Sequence, residues 1–307
     1  MDAGTHLNVA APDMRKLEKA IRAAGPVIDP AFAKNLYAPL LASAPRGGEI
    51  LRDIAYGGDE RHRLDVYLPL GAKDPAPVVV FLHGGGFIRG DKADREAVGH
   101  YFSRHGVLAV LPNYRLGPRH RWPAGAEDVS SVLAWARANV AAHGGNPDHI
   151  VLAGESAGAA HVAAATLVRR FHPAEGLKIA GAFLASGVYN AELELLARAQ
   201  LGIATPDPRN EAYFGTDFAA YRAMSTVALV DAAPFPLAIS YAELDPVQMQ
   251  AQAGELFAAL VTRHGFQPRI SVVRNHNHLT QVYAINSGDD ALAGPLLDFV
   301  RAPGDGC

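Results

Sequence analysis

The chain alternates short apolar runs with segments of helical periodicity, and this alternation constrains its fold more than any other feature. Runs such as Val78 to His83 and Ile150 to Gly154 are almost entirely hydrophobic and are bounded by Gly, Pro or Asn. Strands that are buried on both faces have this pattern. Helical patterns lie between most of the runs, notably over Ala126 to Ala142 and Val247 to Arg263. The alternation predicts an α/β fold with one mostly parallel sheet flanked by helices.

The remaining strand candidates continue this order, and two segments depart from it. The further strand candidates are Glu49 to Tyr56, Arg63 to Leu68, Val107 to Leu111, Ile179 to Ala185, Leu237 to Tyr241 and Ile270 to Val273. We expect the first two of them to form an antiparallel edge of the sheet. Residues 1–45 contain short helical patterns, and residues 190–236 are too long for an ordinary loop. We therefore predict a single domain, residues 1–307, in which these two segments form a small helical cap.

The composition excludes several classes of partner. Hydrophobic residues make up 49% of the chain, and the formal net charge of -3 offers no basic excess to neutralise nucleic-acid phosphates. The one cysteine, Cys307, excludes an internal disulfide framework and a cysteine-based metal cluster. We find neither a secretory signal nor an apolar run near the roughly 18 residues that span a bilayer. We therefore expect a cytoplasmic protein with no membrane span and no nucleic-acid partner.

The run Gly154 to Gly158 reads GESAG and stands between a predicted strand and an Ala-rich helical pattern. A serine at such a sharp turn is held in a strained conformation with its hydroxyl exposed, and small residues two positions away give it room. The turn also leaves the Ala157 N–H, at the start of the helix, without a backbone acceptor. We therefore predict that Ser156 is a nucleophile and that the Ala157 amide binds an oxyanion.

The run His83 to Phe87 reads HGGGF and directly follows a predicted strand. The tetrahedral intermediate of acyl transfer carries an oxyanion that needs preorganised N–H donors, and residues without side chains let a substrate approach the backbone closely. The run matches neither of the glycine-rich nucleotide-binding patterns. We predict that the amides of Gly85 and Gly86 bind the oxyanion. The substrate contacts expected beside them are Gly84, Phe87 and Glu155.

From about Ile50 onward the chain resembles the α/β-hydrolase fold, and within it the hormone-sensitive-lipase-like esterases and the related arylformamidase-like group. The matching motifs are Leu64 to Pro69, His83 to Phe87, Asn113 to Leu116, Pro123 with Asp128, Gly154 to Gly158, Glu243 to Pro246 and a late histidine. In this family the glycine loop precedes the nucleophile by several tens of residues, and the triad runs in the order Ser, Asp, His. The resemblance implies a serine hydrolase that needs no metal or organic cofactor.

The acid and the base of the triad are chosen within this family order. Asp245 stands at the carboxyl end of a predicted strand, where catalytic groups gather in parallel sheets, so we predict that it is the acid. Glu243 is an alternative, and Asp245 as a simple turn residue before Pro246 is another. The family places its histidine after the last strand, often followed by Phe, and His278-Leu279 resembles that form. We predict His278 as the base, with His276 as an orienting neighbour or a substrate contact. The two histidines lack a third ligand with recognisable spacing, so we expect no metal site.

The resemblance implies a serine carboxylesterase that hydrolyses small or medium acyl esters through a Ser-His-Asp triad and an acyl-enzyme. The arylformamidase-like pattern around Leu64 to Pro69 leaves an amide hydrolase open. A non-catalytic binding protein with the hydrolase fold is the third alternative. The expected partner is a small-molecule ester, and a homodimer is left open.

Overall fold

An eight-stranded sheet forms the centre of the protein, whose computed structural model describes residues 14–71, 75–201 and 209–304. The strands are β1 (Ile50–Ala55), β2 (Arg63–Tyr67), β3 (Ala76–Leu82), β4 (Leu108–Pro112), β5 (Gly145–Glu155), β6 (Gly181–Ala185), β7 (Leu237–Leu244) and β8 (Arg269–Asn277). The α-helices within these ranges are α1 (Met14–Ala24), α2 (Pro30–Ala42), α3 (Glu96–Arg104), α4 (Ala124–Asn139), α5 (Ala157–Leu167), α6 (Ala191–Leu201), α7 (Arg209–Phe214), α8 (Thr226–Leu229), α9 (Val247–His264), α10 (Thr280–Tyr283) and α11 (Ala293–Arg301). None of these helices combines the length and the hydrophobicity that crossing a membrane requires.

The strand order is β1-β2-β4-β3-β5-β6-β7-β8. Strand β2 runs antiparallel to both of its neighbours, whereas every pairing from β4 to β8 is parallel. The antiparallel edge predicted from the first two strands is therefore present. The mostly parallel sheet between helices confirms the predicted α/β class.

The hydrophobic core lies on both faces of the sheet. Along β3, the side chains of Val78, Val80 and Leu82 join one apolar cluster, and those of Val79 and Phe81 join the other. The first cluster includes residues of α4, α5 and α9, and the second includes residues of α3 and α11. Successive strand residues point to opposite faces, so a strand covered by helices on both sides must be apolar throughout. Each such side chain stabilises the fold by roughly 1.5–3 kcal/mol when it is fully buried.

Strands β5 and β8 are longer than the apolar runs that predicted them. The run in β8 ends at Val273, but the strand continues to Asn277 through a register shift against β7 between Ala242 and Leu244. Asn275 takes a positive φ of 63° at this irregularity. Polar residues in the extension hide it from hydrophobic patterning. As a result, β8 ends directly before His278.

The two predicted cap segments contain helices in their described parts. Helices α1 and α2 lie within the first segment, and α6, α7 and α8 lie within the second. Helix α1 packs near β8, α2 near α10, and α6 near α9. Residues 1–13 and 202–208 of these segments lie outside the described residues. The division into one domain with a two-part cap stays a prediction.

Candidate active site

Ser156 occupies the turn between β5 and α5. Its backbone has φ 50° and ψ -120°, a conformation that residues with a side chain rarely adopt. The Ser156 N–H donates to the carbonyl of Ala185 at 2.9 Å, which fixes the turn to the neighbouring strand. A Cβ atom on Gly158 would lie 2.3 Å from the Leu82 carbonyl oxygen, so the turn sits too close to β3 for any larger residue there. These contacts hold the strained turn in place.

Three side chains from separate parts of the chain form one hydrogen-bonded line. His278 Nε2 lies 2.9 Å from Ser156 Oγ, and His278 Nδ1 lies 2.7 Å from Asp245 Oδ1. The His278 and Asp245 residues are only 2% and 1% exposed. The structure therefore brings together the three residues that the sequence selected as nucleophile, base and acid. In this arrangement the imidazole can take a proton from the hydroxyl while the carboxylate orients it.

The second oxygen of Asp245 has its own donors. Its Oδ2 atom accepts hydrogen bonds from Ser186 Oγ at 2.5 Å and from the Ala242 N–H at 2.8 Å. Gln281 Nε2 in turn donates to Ser186 Oγ at 2.7 Å and to the carbonyl of His278 at 3.1 Å. Neither Ser186 nor Gln281 was predicted from the sequence. Ser186 directly follows the predicted strand Ile179 to Ala185, at the carboxyl edge of the sheet where Asp245 also lies. This position at the end of a strand was the one sequence feature that could have indicated a role for Ser186.

The alternative acid and base point elsewhere. The Glu243 side chain is 26% exposed, accepts from the Asn275 N–H at 2.8 Å and lies 3.5 Å from an Arg22 nitrogen. His276 Nε2 lies 3.3 Å from Asp289 Oδ2. Neither side chain takes part in the hydrogen-bonded line of Ser156.

Three backbone amides, two in the glycine loop beside Ser156 and one directly after it, have no acceptor in the part of the chain that the structure describes. Among the described residues, the N–H groups of Gly85, Gly86 and Ala157 donate to no acceptor. Ala157 is the first residue of α5, where the helix dipole also favours negative charge. Gly86 has φ 59°, and a Cβ atom there would lie 2.4 Å from the Arg209 side chain. Free amides beside a serine hydroxyl are suited to bind the oxyanion of an acyl-transfer intermediate.

A buried ion pair fixes the glycine loop to the nucleophile turn. Glu155 Oε1 accepts from the Gly84 N–H at 3.0 Å and from Arg95 Nε. Burial works against the charge of Arg95, but Glu155 and Tyr283 together outweigh burial and raise the pKa of Arg95. The Gly84 amide is thus taken up by Glu155 Oε1, whereas Glu155 Oε2 is buried without a hydrogen-bond partner among the described residues. Neither Gly84 nor Glu155 lines the cleft that opens beside Ser156.

His83 holds the start of the same loop. Its Nδ1–H donates to the Gly84 carbonyl at 2.7 Å, and its ring stacks on Tyr114 with centroids 4.4 Å apart. Tyr114 Oη donates to the His83 carbonyl at 2.7 Å. Burial lowers the pKa of His83 to about 4, so the ring is neutral at pH 7. These contacts show His83 as part of the scaffold.

A cleft opens beside Ser156 and His278. Its lining combines apolar and polar side chains: Ile28, Gly86, Phe87, Val188, Glu194, Arg209, Asn210, Gln248 and Met249. Phe87, one of the predicted substrate contacts, borders this cleft while its ring stacks on Tyr213 at 4.7 Å between centroids. Phe87 therefore both shapes the cleft and packs into the aromatic cluster below it.

Comparison with known proteins identifies the family. A sequence profile described as the alpha/beta hydrolase fold matches residues 79–281, about two thirds of the chain. The chain belongs to the α/β-hydrolase family. This assignment confirms the resemblance that was drawn from the sequence motifs.

Curated relatives of this α/β-hydrolase are similar over part of their length. The chain is 39% identical over 121 residues to the probable isoprenylcysteine alpha-carbonyl methylesterase ICMEL1 of Arabidopsis thaliana, covering 39% of this chain and 25% of that protein. It is 39% identical over 109 residues to the carboxylesterase NlhH of Mycobacterium tuberculosis, covering 35% of this chain and 34% of that protein. The similarity thus spans between a quarter and about a third of the length of these relatives.

A solved structure extends the similarity of the fold to nearly the whole hydrolase. An esterase of Pyrobaculum calidifontis superposes with a TM-score of 0.69 at 20% identity, covering 95% of this chain and 97% of that one. At this level of identity the superposition supports the fold alone.

Among the described residues of the hydrolase, no three His, Cys, Asp or Glu side chains are grouped as metal ligands. The two histidines of the H-x-H pattern have separate partners, since His276 contacts Asp289 and His278 contacts Asp245. The two imidazoles are therefore not arranged as ligands of one metal ion.

Proposed function

We propose that the protein is a serine carboxylesterase that hydrolyses small or medium acyl esters. The observation that carries the proposal is the line from Ser156 through His278 to Asp245 beside three unpartnered amides. The names of the two curated relatives, a methylesterase and a carboxylesterase, support the same reaction class. The expected substrate is a small-molecule ester.

In the first half of the reaction, Ser156 Oγ attacks the ester carbonyl carbon while His278 Nε2 takes the hydroxyl proton. Asp245 keeps the imidazole in the tautomer with a proton on Nδ1 and stabilises its charged form. The carbonyl oxygen becomes an oxyanion bound by the amides of Gly85, Gly86 and Ala157. When the intermediate collapses, the bond from the carbonyl carbon to the alcohol oxygen breaks, and the alcohol leaves with the proton from His278.

In the second half, a water molecule attacks the acyl-enzyme carbonyl as His278 accepts one of its protons. The same amides bind the second oxyanion. Collapse then breaks the bond to Ser156 Oγ, which recovers its proton from His278. One ester and one water thus become one carboxylic acid and one alcohol, and the enzyme returns to its starting state.

We further propose that residues 1–45 and 190–236 act as a cap that shapes the substrate cleft of a single domain. Ile28 belongs to the first segment, and Glu194, Arg209 and Asn210 belong to the second. All four line the cleft beside Ser156. Residues from outside the central sheet therefore supply much of the surface that selects the substrate.

The proposal predicts that Ser156→Ala abolishes ester hydrolysis. With p-nitrophenyl acetate or butyrate, we expect kcat to fall by at least about 10⁴-fold, because the covalent route is lost. A fluorophosphonate probe should label the wild-type protein and fail to label the variant. Absence of both hydrolysis and labelling in the pure wild-type protein would instead favour a non-catalytic binding protein.

A matched pair of substrates separates the esterase from the formamidase alternative. Phenyl formate and formanilide share their acyl group and ring and differ in the atom of the cleaved bond. For an esterase we expect a higher kcat/KM with phenyl formate by at least about 10³-fold, or more than 4 kcal/mol in barrier. Comparable kcat/KM values would assign the protein to the amide hydrolases.

A further inference from the structure

The cleft beside Ser156 is lined by several polar side chains, and a purely alkyl substrate could form no hydrogen bond with them. Glu194 and Asn210 already contact each other, since Asn210 Nδ2 donates to Glu194 Oε2 at 3.3 Å. Glu194 Oε1 also accepts from Gln252 Nε2 at 3.0 Å. Both residues are therefore already hydrogen-bonded within the protein.

Gln248 differs from its neighbours in the cleft. It lies in the first turn of α9 and is only 8% exposed, yet its Oε1 atom is buried with no partner among the described residues. The amide nitrogen likewise forms no hydrogen bond to a described side chain or backbone group. Leaving a buried amide oxygen unpaired costs roughly 1–3 kcal/mol, so a polar side chain at this position needs an explanation.

The charges around Gln248 narrow the kind of group that suits it. The cleft wall contains the carboxylate of Glu194 and the guanidinium of Arg209, which lies against Gly86. A substituent of either charge would meet a like charge in this narrow space, and such a contact is unfavourable. A neutral hydroxyl avoids that repulsion. It can also donate to the amide oxygen or accept from the amide nitrogen, whichever the side chain presents.

We infer that Gln248 is a specificity-determining residue that binds a hydroxyl group on the substrate, so that the preferred esters are short and hydroxylated near the ester bond. The inference rests on the proposed esterase function and names its substrate class. A site that hydrogen-bonds a substrate hydroxyl discriminates against the analogue without it, because the polar group of the protein is then left unpaired.

Two ester pairs with a common reference test the inference and distinguish the two ends of the substrate. Ethyl 3-hydroxybutanoate carries the hydroxyl on the acyl chain, 2-hydroxyethyl butanoate carries it on the alcohol, and ethyl butanoate carries none. We expect the wild-type kcat/KM for at least one hydroxylated ester to exceed that for ethyl butanoate by about tenfold or more. In Gln248→Leu this ratio should fall to within about twofold of one.

Gln267→Leu is the matched control, because Gln267 is exposed and does not line the cleft. It should keep the wild-type ratio. Ratios near one in the wild-type protein for both hydroxylated esters, or a ratio that survives in Gln248→Leu, would overturn the inference while leaving the esterase proposal intact. Failure of the wild-type protein to hydrolyse any of the three esters and to react with a fluorophosphonate would count against the esterase proposal itself.

Discussion

Asp245 accepts three hydrogen bonds with its two carboxylate oxygens. One comes from the His278 imidazole, and the other two come from Ser186 and the backbone of Ala242. A carboxylate held by three donors has little freedom to rotate, so the imidazole is held in one orientation. In the proposed mechanism, Ser186 and Gln281 are therefore positioning residues, since they contact Asp245 and the backbone of His278 but not the Ser156 hydroxyl.

At this scale, Asp245→Asn should reduce kcat for a p-nitrophenyl ester by about 10³- to 10⁴-fold. The amide no longer selects the imidazole tautomer that can accept the proton of Ser156. Far-UV circular dichroism should show that the variant remains folded. Glu243→Gln provides the control, since its side chain contacts Asn275 and Arg22 outside the line. A larger loss of kcat in Glu243→Gln than in Asp245→Asn would refute the assignment of the acid.

Candidate site residues that belong to sequence motifs could be predicted from the sequence, whereas the residues that hydrogen-bond to them could not. Ser156, Gly85 and Gly86 occur in short patterns whose chemistry requires those residue types. Ser186 and Gln281 belong to no motif, and their roles depend on contacts that only the folded chain creates. The sequence favoured His278 over His276 as the base, and in the structure the two rings have different partners, Asp245 for His278 and Asp289 for His276.

At the scale of elements, the turn from β5 into α5 depends on how closely the helix approaches β3. A Cβ atom on Gly158 would lie 2.3 Å from the carbonyl oxygen of Leu82 and 2.6 Å from that of His83. Both atoms belong to the backbone, so neither can move without displacing the strand or the glycine loop. The absence of a side chain at Gly158 thus lets the Ser156 turn lie this close to β3 and to the glycine loop.

The same substitution in two helices should have opposite effects. Gly158→Ala should lower the free energy of unfolding by at least about 2 kcal/mol, because the new methyl group collides with backbone atoms. Gly254→Ala, on the exposed face of α9 with no atom near the added Cβ, should raise it by about 0.5–1 kcal/mol. Urea unfolding of both variants measures the difference. Equal stability of the two variants would contradict the close approach of α5 to β3.

Strand and helix identities followed from hydrophobic patterning more reliably than their ends did. The pattern placed α9 over Val247 to Arg263, and the helix extends one residue further. It stopped β8 at Val273, because the next residues are polar and the strand passes through an irregular register there. Pairing with β7 keeps these last residues of β8 in the sheet, and the pairing of two strands cannot be predicted from the sequence of one of them alone.

At the scale of the whole molecule, stability depends on keeping several histidines uncharged. Burial lowers the pKa of His83 to about 4 and that of His161 to about 3, from an ordinary value of 6.5. His161 lies among the rings of Phe87, Tyr114 and Tyr213. Between pH 6.5 and 4 these two histidines bind protons in the unfolded chain but not in the folded protein. The free energy of unfolding therefore falls as the pH falls through this range.

We predict that each of these two histidines contributes up to about 1.4 kcal/mol per pH unit to that loss. His161→Leu should flatten the dependence of the unfolding free energy on pH between 6.5 and 4 by about one such contribution. Phe102→Leu, another buried change, should alter stability without altering the slope. Urea unfolding at several pH values measures both. An unchanged slope in His161→Leu would show that this ring is not a source of acid sensitivity.

The contact of Glu155 with Gly84 and Arg95 also affects how the molecule fluctuates. Glu155 adjoins Ser156 in the chain, and its carboxylate holds the loop that carries the free amides. Because this one side chain connects the serine turn to the glycine loop, we expect the hydroxyl and the amides to move together. For the proposed esterase we therefore expect the distance between the Ser156 hydroxyl and the amides to stay constant even when the helices of the surrounding segments shift to admit a substrate or release a product.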